Sequence, residues 1–464
     1  MSFSREIRAT ALLAGPVVAA QLGHTSMSFI DTLMVGRLGP EALAGVALGS
    51  SIFFFVFVFC LGVLMAVGPM VAHAYGADDP EPIGRSVRQG FWLAAALGVP
   101  ASILLWNAEP FLRLTGQTEE AVIGASGYLR AIVWGLLPAL FLVVLRAFME
   151  ALSRPWPVTI ITLAGVAVNA VSNYLLMFGV PGVIPPLGLV GTGLASTIVF
   201  ASMFLLLVAY IVAQRDLRVF GIFRRLGRPD PYYFRELFRI GWPIGITMGV
   251  ETSLFVITAL LIGTLGTVPL AAHQIALQCA AFTFMVPLGI GIATSVRVGQ
   301  FAGRLDRRGS RIAGFAGLSL SASFMLFAAL AFWLAPLEIV GLYLDAGSEE
   351  AMPVVDLAVS LLGIAAIFQL FDGLQVSAGG ALRGLKDTRV PMIIGAISYL
   401  GIGLATGYVS GFVVGFGVRG LWWGLVLGLA TAATLLTWRF AAMTEPAKEW
   451  DAGHYERLLE ESRK

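Results

Sequence analysis

Long apolar runs separated by short polar breaks fill the chain from about residue 10 to residue 440. A helix needs roughly 20 apolar residues to cross the hydrocarbon core of a bilayer. By that measure the pattern predicts twelve transmembrane helices, at about 10–36, 43–75, 87–107, 122–148, 157–179, 188–214, 237–263, 270–302, 311–334, 351–380, 389–413 and 418–440. The second and eighth runs are long enough to imply tilt or interfacial ends. Polar positions inside the runs are few, so each stands out. Asp31 closes the first run in FIDTLMVGRLG, Glu251 lies in the seventh and Asp372 in the tenth, while Asn169 and Asn173 share one face of the fifth in VNAVSNY.

The polar segment RDLRVFGIFRRLGRPDPYYFRELFR, between the sixth and seventh runs, is long, basic and broken by Pro229 and Pro231. It reads as a joint between halves, and the halves repeat. A shift of 227 residues lays GPVVAAQLGHTSMSFIDTLMVGRLG over WPIGITMGVETSLFVITALLIGTLG without a gap. Pro16 then meets Pro243, Gly36 meets Gly263, and Leu61-Gly62 meets Leu288-Gly289. Six helices separate the copies, so both run the same way through the membrane, as in two parallel bundles related by an axis along its normal. The expected fold is therefore all-α and polytopic. It has an N-terminal lobe (1–214), a basic linker (215–236), a C-terminal lobe (237–440) and a tail (441–464), with a cavity between the lobes.

Composition agrees with a membrane protein. Residues are 58% hydrophobic and 12% charged, with mean hydropathy +0.85, against roughly 25% charged in soluble domains. Arg85, Arg88, Arg154, the seven arginines of the 215–239 segment, Arg297 to Arg311 and the Arg383–Arg389 cluster all fall on one side. The other side has only Arg37, Arg113 and Arg419 among acids such as Glu338, Asp345, Glu349 and Glu350. The positive-inside rule then puts both termini in the cytoplasm of an inner (plasma) membrane protein. The basic residues are scattered over many loops, which gives nucleic acid no patch. Cys60 and Cys279 are too few for a disulfide framework.

A carboxylate at the bilayer centre costs roughly 2.5–3.5 kcal/mol on insertion scales and usually faces a bundle interior or water cavity. No Lys or Arg lies mid-helix near Asp31, Glu251 or Asp372, Arg37 and Arg383 being toward helix ends. Such acids suit a proton or Na⁺, which can neutralise them and leave again. The plain alternatives are an interfacial cap for Asp31 and a solvated end or an Arg383 partner for Asp372. The repeat pairs Asp31 with Thr258 and Glu251 with His24, so each half offers a polar face with its acid at a different depth. His24, His73 and His273 are expected to hydrogen-bond in neutral form. Pro16 and Pro243 bend helices one and seven, with a moving hinge as the second reading. Phe284 belongs to a set of aromatic and Met residues available to line an adaptable apolar pocket. No phosphate-binding loop and no HExxH motif is present, so transport driven by an ion gradient, or passive flux, is expected rather than enzyme chemistry.

FIDTLMVGRLG, AAHQIALQ and GALRGLKDTRVPM resemble segments of the multidrug and toxic compound extrusion (MATE) family, within it the NorM-like branch, and the resemblance covers the whole chain. It implies export of cationic and amphipathic compounds in exchange for Na⁺ or H⁺, with no other cofactor, by a protein expected to act as a monomer in the lipid bilayer. It implies a C-lobe cation site at Glu251 and Asp372, where Na⁺ is the candidate ion. It also implies an N-lobe polar site at Asp31, Asn169 and Asn173 linked to bending at Pro16. His273, Thr258 and Phe284 are expected in the polar cavity. Phe368 stands where some Na⁺-coupled members have Tyr, and Asn173 where some relatives have Asp. A lipid-linked precursor flippase and, behind it, a passive channel are the competing readings.

Overall fold

The computed structural model describes residues 2–114, 116, 118–344 and 351–445. The loop acids Asp345, Glu349 and Glu350 and most of the tail lie outside them. The described chain is helical, with one isolated bridge between Val180 and Ile184. The first half contains α1 (Phe3–Gly36), α2 (Pro40–Leu64), α3 (Val67–Gly76), α4 (Pro80–Trp106), α5 (Glu109–Leu114), α6 (Glu119–Ala151), α7 (Trp156–Asn173) with a π-helical end, and α8 (Gly188–Ala213). The second contains α9 (Pro231–Gly263), α10 (Thr267–Gly303), α11 (Arg307–Leu334), α12 (Pro336–Gly341), α13 (Met352–Gly384), α14 (Arg389–Ala396), α15 (Ala405–Tyr408) within a π-helical stretch to Val413, and α16 (Gly417–Met443). Eleven described helical segments are long and apolar enough to cross a membrane. The twelfth, α1, has the length at 34 residues, but Gln21, His24 and Asp31 make it less apolar than the others. The protein is a multi-pass membrane protein.

The 227-residue register recurs in the backbone. Pro40–Gly76 maps onto Thr267–Gly303, continuous in the second half and interrupted at Met65–Ala66 in the first. Gly39 and Gly266 precede these helices with φ of 109° and 124°, a conformation that a side chain would strain. Asp79 and Asp306 cap the following helices through the N–H groups of Glu81 and Gly309. From α6 and α13 to the starts of α7 and α14 the offset is 233. These helices end alike: the Ser153 N–H donates to the Glu150 carbonyl and the Lys386 N–H to the Arg383 carbonyl, with φ of 59° and 60° at Ser153 and Lys386. Glu150 and Arg383 thus occupy the same turn of the repeat.

Two compact units emerge, and their boundaries differ from those read from sequence. One, the N-unit, is Ala19–Gly245; the other, the C-unit, joins residues up to Val18 to those from Ile246 onward. Val18 and Gly245 are themselves 227 apart. The first turns of α1 pack in the C-unit, where Leu13 and Ala14 cluster with Ile290, Ala293 and Val296 of α10. There Glu6, fully buried, accepts from Arg297 Nε and Nη2 at 2.7 and 2.8 Å. The first turns of α9 pack in the N-unit, where a Cβ at Gly241 would lie 2.1 Å from the Val63 carbonyl oxygen. Pro16 and Pro243 are both buried beside these transitions. Sequence order alone assigns α1 and α9 to single lobes, and packing divides each of them.

α6 is the central helix of the N-unit, against α2, α4 and α8, and α13 that of the C-unit, against α10, α11 and α16. Helices in lipid gain little from apolar burial and depend on close van der Waals packing. Gly424 shows how close: a Cβ there would sit 2.3 Å from the Gly407 Cα.

Candidate functional site

In the N-unit, α1 and α7 bring three polar side chains together. Asn169 Nδ2 and Asn173 Nδ2 both donate to Asp31 Oδ1, at 2.9 and 2.5 Å. Asn169 and Asn173 are buried at 2% and 0% exposure, and their i, i+4 spacing points both at α1. Their amide oxygens are buried without a hydrogen-bond partner. Two donors on one oxygen suit an ionised carboxylate, and the two idle carbonyls add hard oxygen acceptors suited to a small cation.

A second polar group in this unit was not anticipated. Arg146 Nε donates to Glu150 Oε1 at 2.7 Å and Arg146 Nη2 to Gln21 Oε1 at 2.6 Å, with both charged side chains largely buried. His24, facing the same α1 stretch as Gln21, lies within electrostatic reach of Arg146. The R-x-x-x-E spacing was the available signal, but it falls at the end of an apolar run and reads there as helix-end polarity.

In the C-unit, Asp372 of α13 is 5% exposed, so it is no solvated helix end. Its Oδ1 has no hydrogen-bond partner, so the Arg383 partner weighed from sequence does not form. Glu251 of α9 lies within electrostatic reach of Asp372 and of Arg383. The expectation of deep carboxylates without a nearby fixed cation therefore needs correction here. Arg383 is 11 residues from Asp372, three helical turns along the same face, and long side chains on a helix lean back toward its N-terminus. Gln375, one turn from Asp372, donates through Nε2 to the hydroxyl of Tyr399, which is buried. Gln375 Oε1 and Gln369 Nε2 are left without partners. Sequence reading missed Gln375 and Tyr399, since a Gln and a Tyr in separate apolar runs give no pattern.

An aromatic file borders this group. Phe368, one turn before Asp372, stacks edge-on against Phe255 and Trp422, and Trp422 against His273. Trp422 Nε1 donates to His273 Nδ1 at 3.2 Å, which leaves the proton on Nε2, buried without a partner. Thr258 is 2% exposed, and Phe284 is partly buried on α10. Among the described residues no three His, Cys, Asp or Glu gather closely enough to hold a metal ion. A monovalent ion at Glu251 and Asp372 would need further oxygens, and Gln375 Oε1 is the idle one nearest along α13.

A family model described as MatE matches residues 16–175 and 243–409, two stretches that begin at the paired prolines. A probable multidrug resistance protein NorM of Pseudomonas aeruginosa is 42% identical over 435 residues, 94% of this chain and 89% of that protein. A multidrug resistance protein NorM of Burkholderia vietnamiensis is 42% identical over 444 residues, 96% of this chain and 95% of the relative. Among solved structures, an outward-facing multidrug resistance MATE family transporter aligns over 96% of this chain and 97% of its own, with TM-score 0.88 and 19% identity. The eukaryotic MATE transporter AtDTX14 aligns over 98% and 99%, with TM-score 0.84 and 22% identity. At these identities the structural likeness speaks for the fold.

Proposed function

The chain belongs to the MatE family, and from that premise we propose that it is a multidrug efflux antiporter that exports cationic and amphipathic organic compounds in exchange for Na⁺ or H⁺. The observation that carries this reading is the buried, partnerless oxygen of Asp372 beside Glu251. Two carboxylates held together out of water repel each other and gain from any cation that joins them. A lipophilic drug cation is held there against the aromatic file of Phe255 and Phe368, and a returning proton or Na⁺ releases it. Asp31, with Asn169 and Asn173, is the second coupling site. The units alternate access to the two membrane faces, with both termini cytoplasmic. A lipid-linked precursor flippase is disfavoured, because a pyrophosphate group would meet carboxylates.

Dye efflux from proteoliposomes, with either a pH gradient or a Na⁺ gradient imposed alone, tests the coupling. Export driven by one gradient and not by an equal gradient of an inert ion supports exchange, whereas flux indifferent to both points to a channel. In the same assay Glu251→Gln and Asp372→Asn are each expected to lose at least tenfold in efflux. Near-normal export by both variants would end the reading.

A further inference from the structure

Arg383 has an unusual position for a cation in this protein. Its Nε and Nη2 are out of contact with solvent and have no hydrogen-bond partner. Arginine does not deprotonate in proteins, so the guanidinium keeps its charge here with two of its three nitrogens unbonded. The acidic group in reach is Glu251. Asp372, three turns away on the same helix, also has an unpartnered oxygen. Donors and acceptors therefore stand unsatisfied in one part of the C-unit without closing on each other. The N-unit position equivalent to Arg383 is Glu150, and there a salt bridge from Arg146 at 2.7 Å closes the account of charge.

We propose that Arg383 is a built-in counter-cation of the Glu251–Asp372 pair and a specificity-determining residue of the C-unit site. With both carboxyl groups ionised, Glu251, Asp372 and Arg383 together carry one net negative charge, Glu251 lying within electrostatic reach of each of the other two, so the site is completed by one positive charge from outside. A monocation satisfies it, and a dication leaves an excess positive charge buried, which is unfavourable in a low-dielectric interior. This inference rests on the reading of Glu251 and Asp372 as the place where the organic cation is held.

The test is calorimetric binding of decyltrimethylammonium and its bis-quaternary counterpart decamethonium to the purified full-length protein. The quantity compared is the ratio of dication to monocation affinity. Arg383→Gln is expected to raise that ratio at least tenfold, and Arg383→Lys to keep it within threefold of wild type. Adding Asp372→Asn to Arg383→Gln removes one negative charge and should return the ratio to the wild-type value. Arg383→Met, which retains the aliphatic stem, stands in if Arg383→Gln does not fold. A ratio unchanged in Arg383→Gln or Arg383→Met, with the monocation still bound, overturns the counter-cation role. If Glu251→Gln and Asp372→Asn singly bind the monocation as wild type does, the carboxylate reading is what has failed.

Discussion

Glu150 and Arg383 hold the same turn of the repeat with opposite charge, and a second inversion follows four residues later. Arg154 of the N-unit forms a salt bridge with Asp216, and its equivalent 233 residues on, Asp387, pairs with Arg439 in the C-unit. The duplicated helices accept either sign at these turns. What differs is closure. Glu150, Arg154 and Asp387 each have an oppositely charged partner in hydrogen-bond contact, and Arg383 and Asp372 do not. A buried charge that finds its partner inside its own unit is structural. In the proposed C-unit site, the charge left over from Glu251, Asp372 and Arg383 is the one that a cation from outside would balance.

The strongest way to break this comparison is to open a closed pair. Glu150→Ala leaves Arg146, only 15% exposed at its side chain, with its hydrogen bond to neutral Gln21 in place of an ion pair. Removing one partner of a buried ion pair costs about 3–5 kcal/mol. Thermal unfolding of the detergent-solubilised protein should therefore show a large loss for Glu150→Ala. It should show a clearly smaller one for Arg383→Met, which removes a charge that has no bonded partner. Equal losses in the two variants would dissolve the distinction between structural and functional charge.

Much of the frame was legible from spacing alone. The twelve apolar runs, the 227-residue register and the carboxylates at 31, 251 and 372 follow from hydropathy and from the rarity of charge in lipid-spanning segments. What sequence did not reveal were relations across helices. Arg383 reads as a loop-side residue because it follows the tenth run, yet three turns of helix and a back-leaning side chain carry its guanidinium inward. The division of α1 at Val18 and α9 at Gly245 was equally hidden, because an unbroken apolar helix gives no sign that its ends pack with different partners. Pro16 and Pro243 mark the place without saying which unit each side joins. The Asn169–Asn173 pair was recognised as one face, but its convergence on a single oxygen of Asp31 needed the crossing of α1 and α7.

That convergence sharpens the comparison at intermediate strength. Asp31 is supported by neutral amide donors, whereas Glu251 of the C-unit lies within reach of a full charge on Arg383. Asn173→Ala deletes one donor to Asp31 Oδ1. A hydrogen bond to a charged group contributes about 1.5–3 kcal/mol, so the ionised form of Asp31 becomes less favourable and a cation that neutralises it binds better. The coupling-cation concentration for half-maximal efflux should fall by about tenfold, since 1.4 kcal/mol is a factor of ten. No change in that concentration would mean that the amides position helices and do not tune the carboxylate.

The smallest effect is expected at the exposed Arg154–Asp216 pair, whose side chains are 48% and 51% exposed. The hydrogen bond from Arg154 holds the Asp216 carboxyl below its usual range. A carboxyl lowered on folding adds stability above its unfolded value, near ~3.9, and loses it as pH falls through the lower folded value. The difference in unfolding midpoint between wild type and Asp216→Asn should therefore be constant from pH 5 to 8 and shrink only in stronger acid. Salt should reduce it, because solvent-exposed charges are screened over roughly 8 Å at physiological ionic strength. Asp387→Asn provides the contrast, with a carboxylate only 12% exposed and correspondingly less screening. A loss in Asp216→Asn as large as that of Glu150→Ala, or one indifferent to salt, would show that depth does not grade these pairs. Charge inversion between the repeats would then need another explanation than local closure.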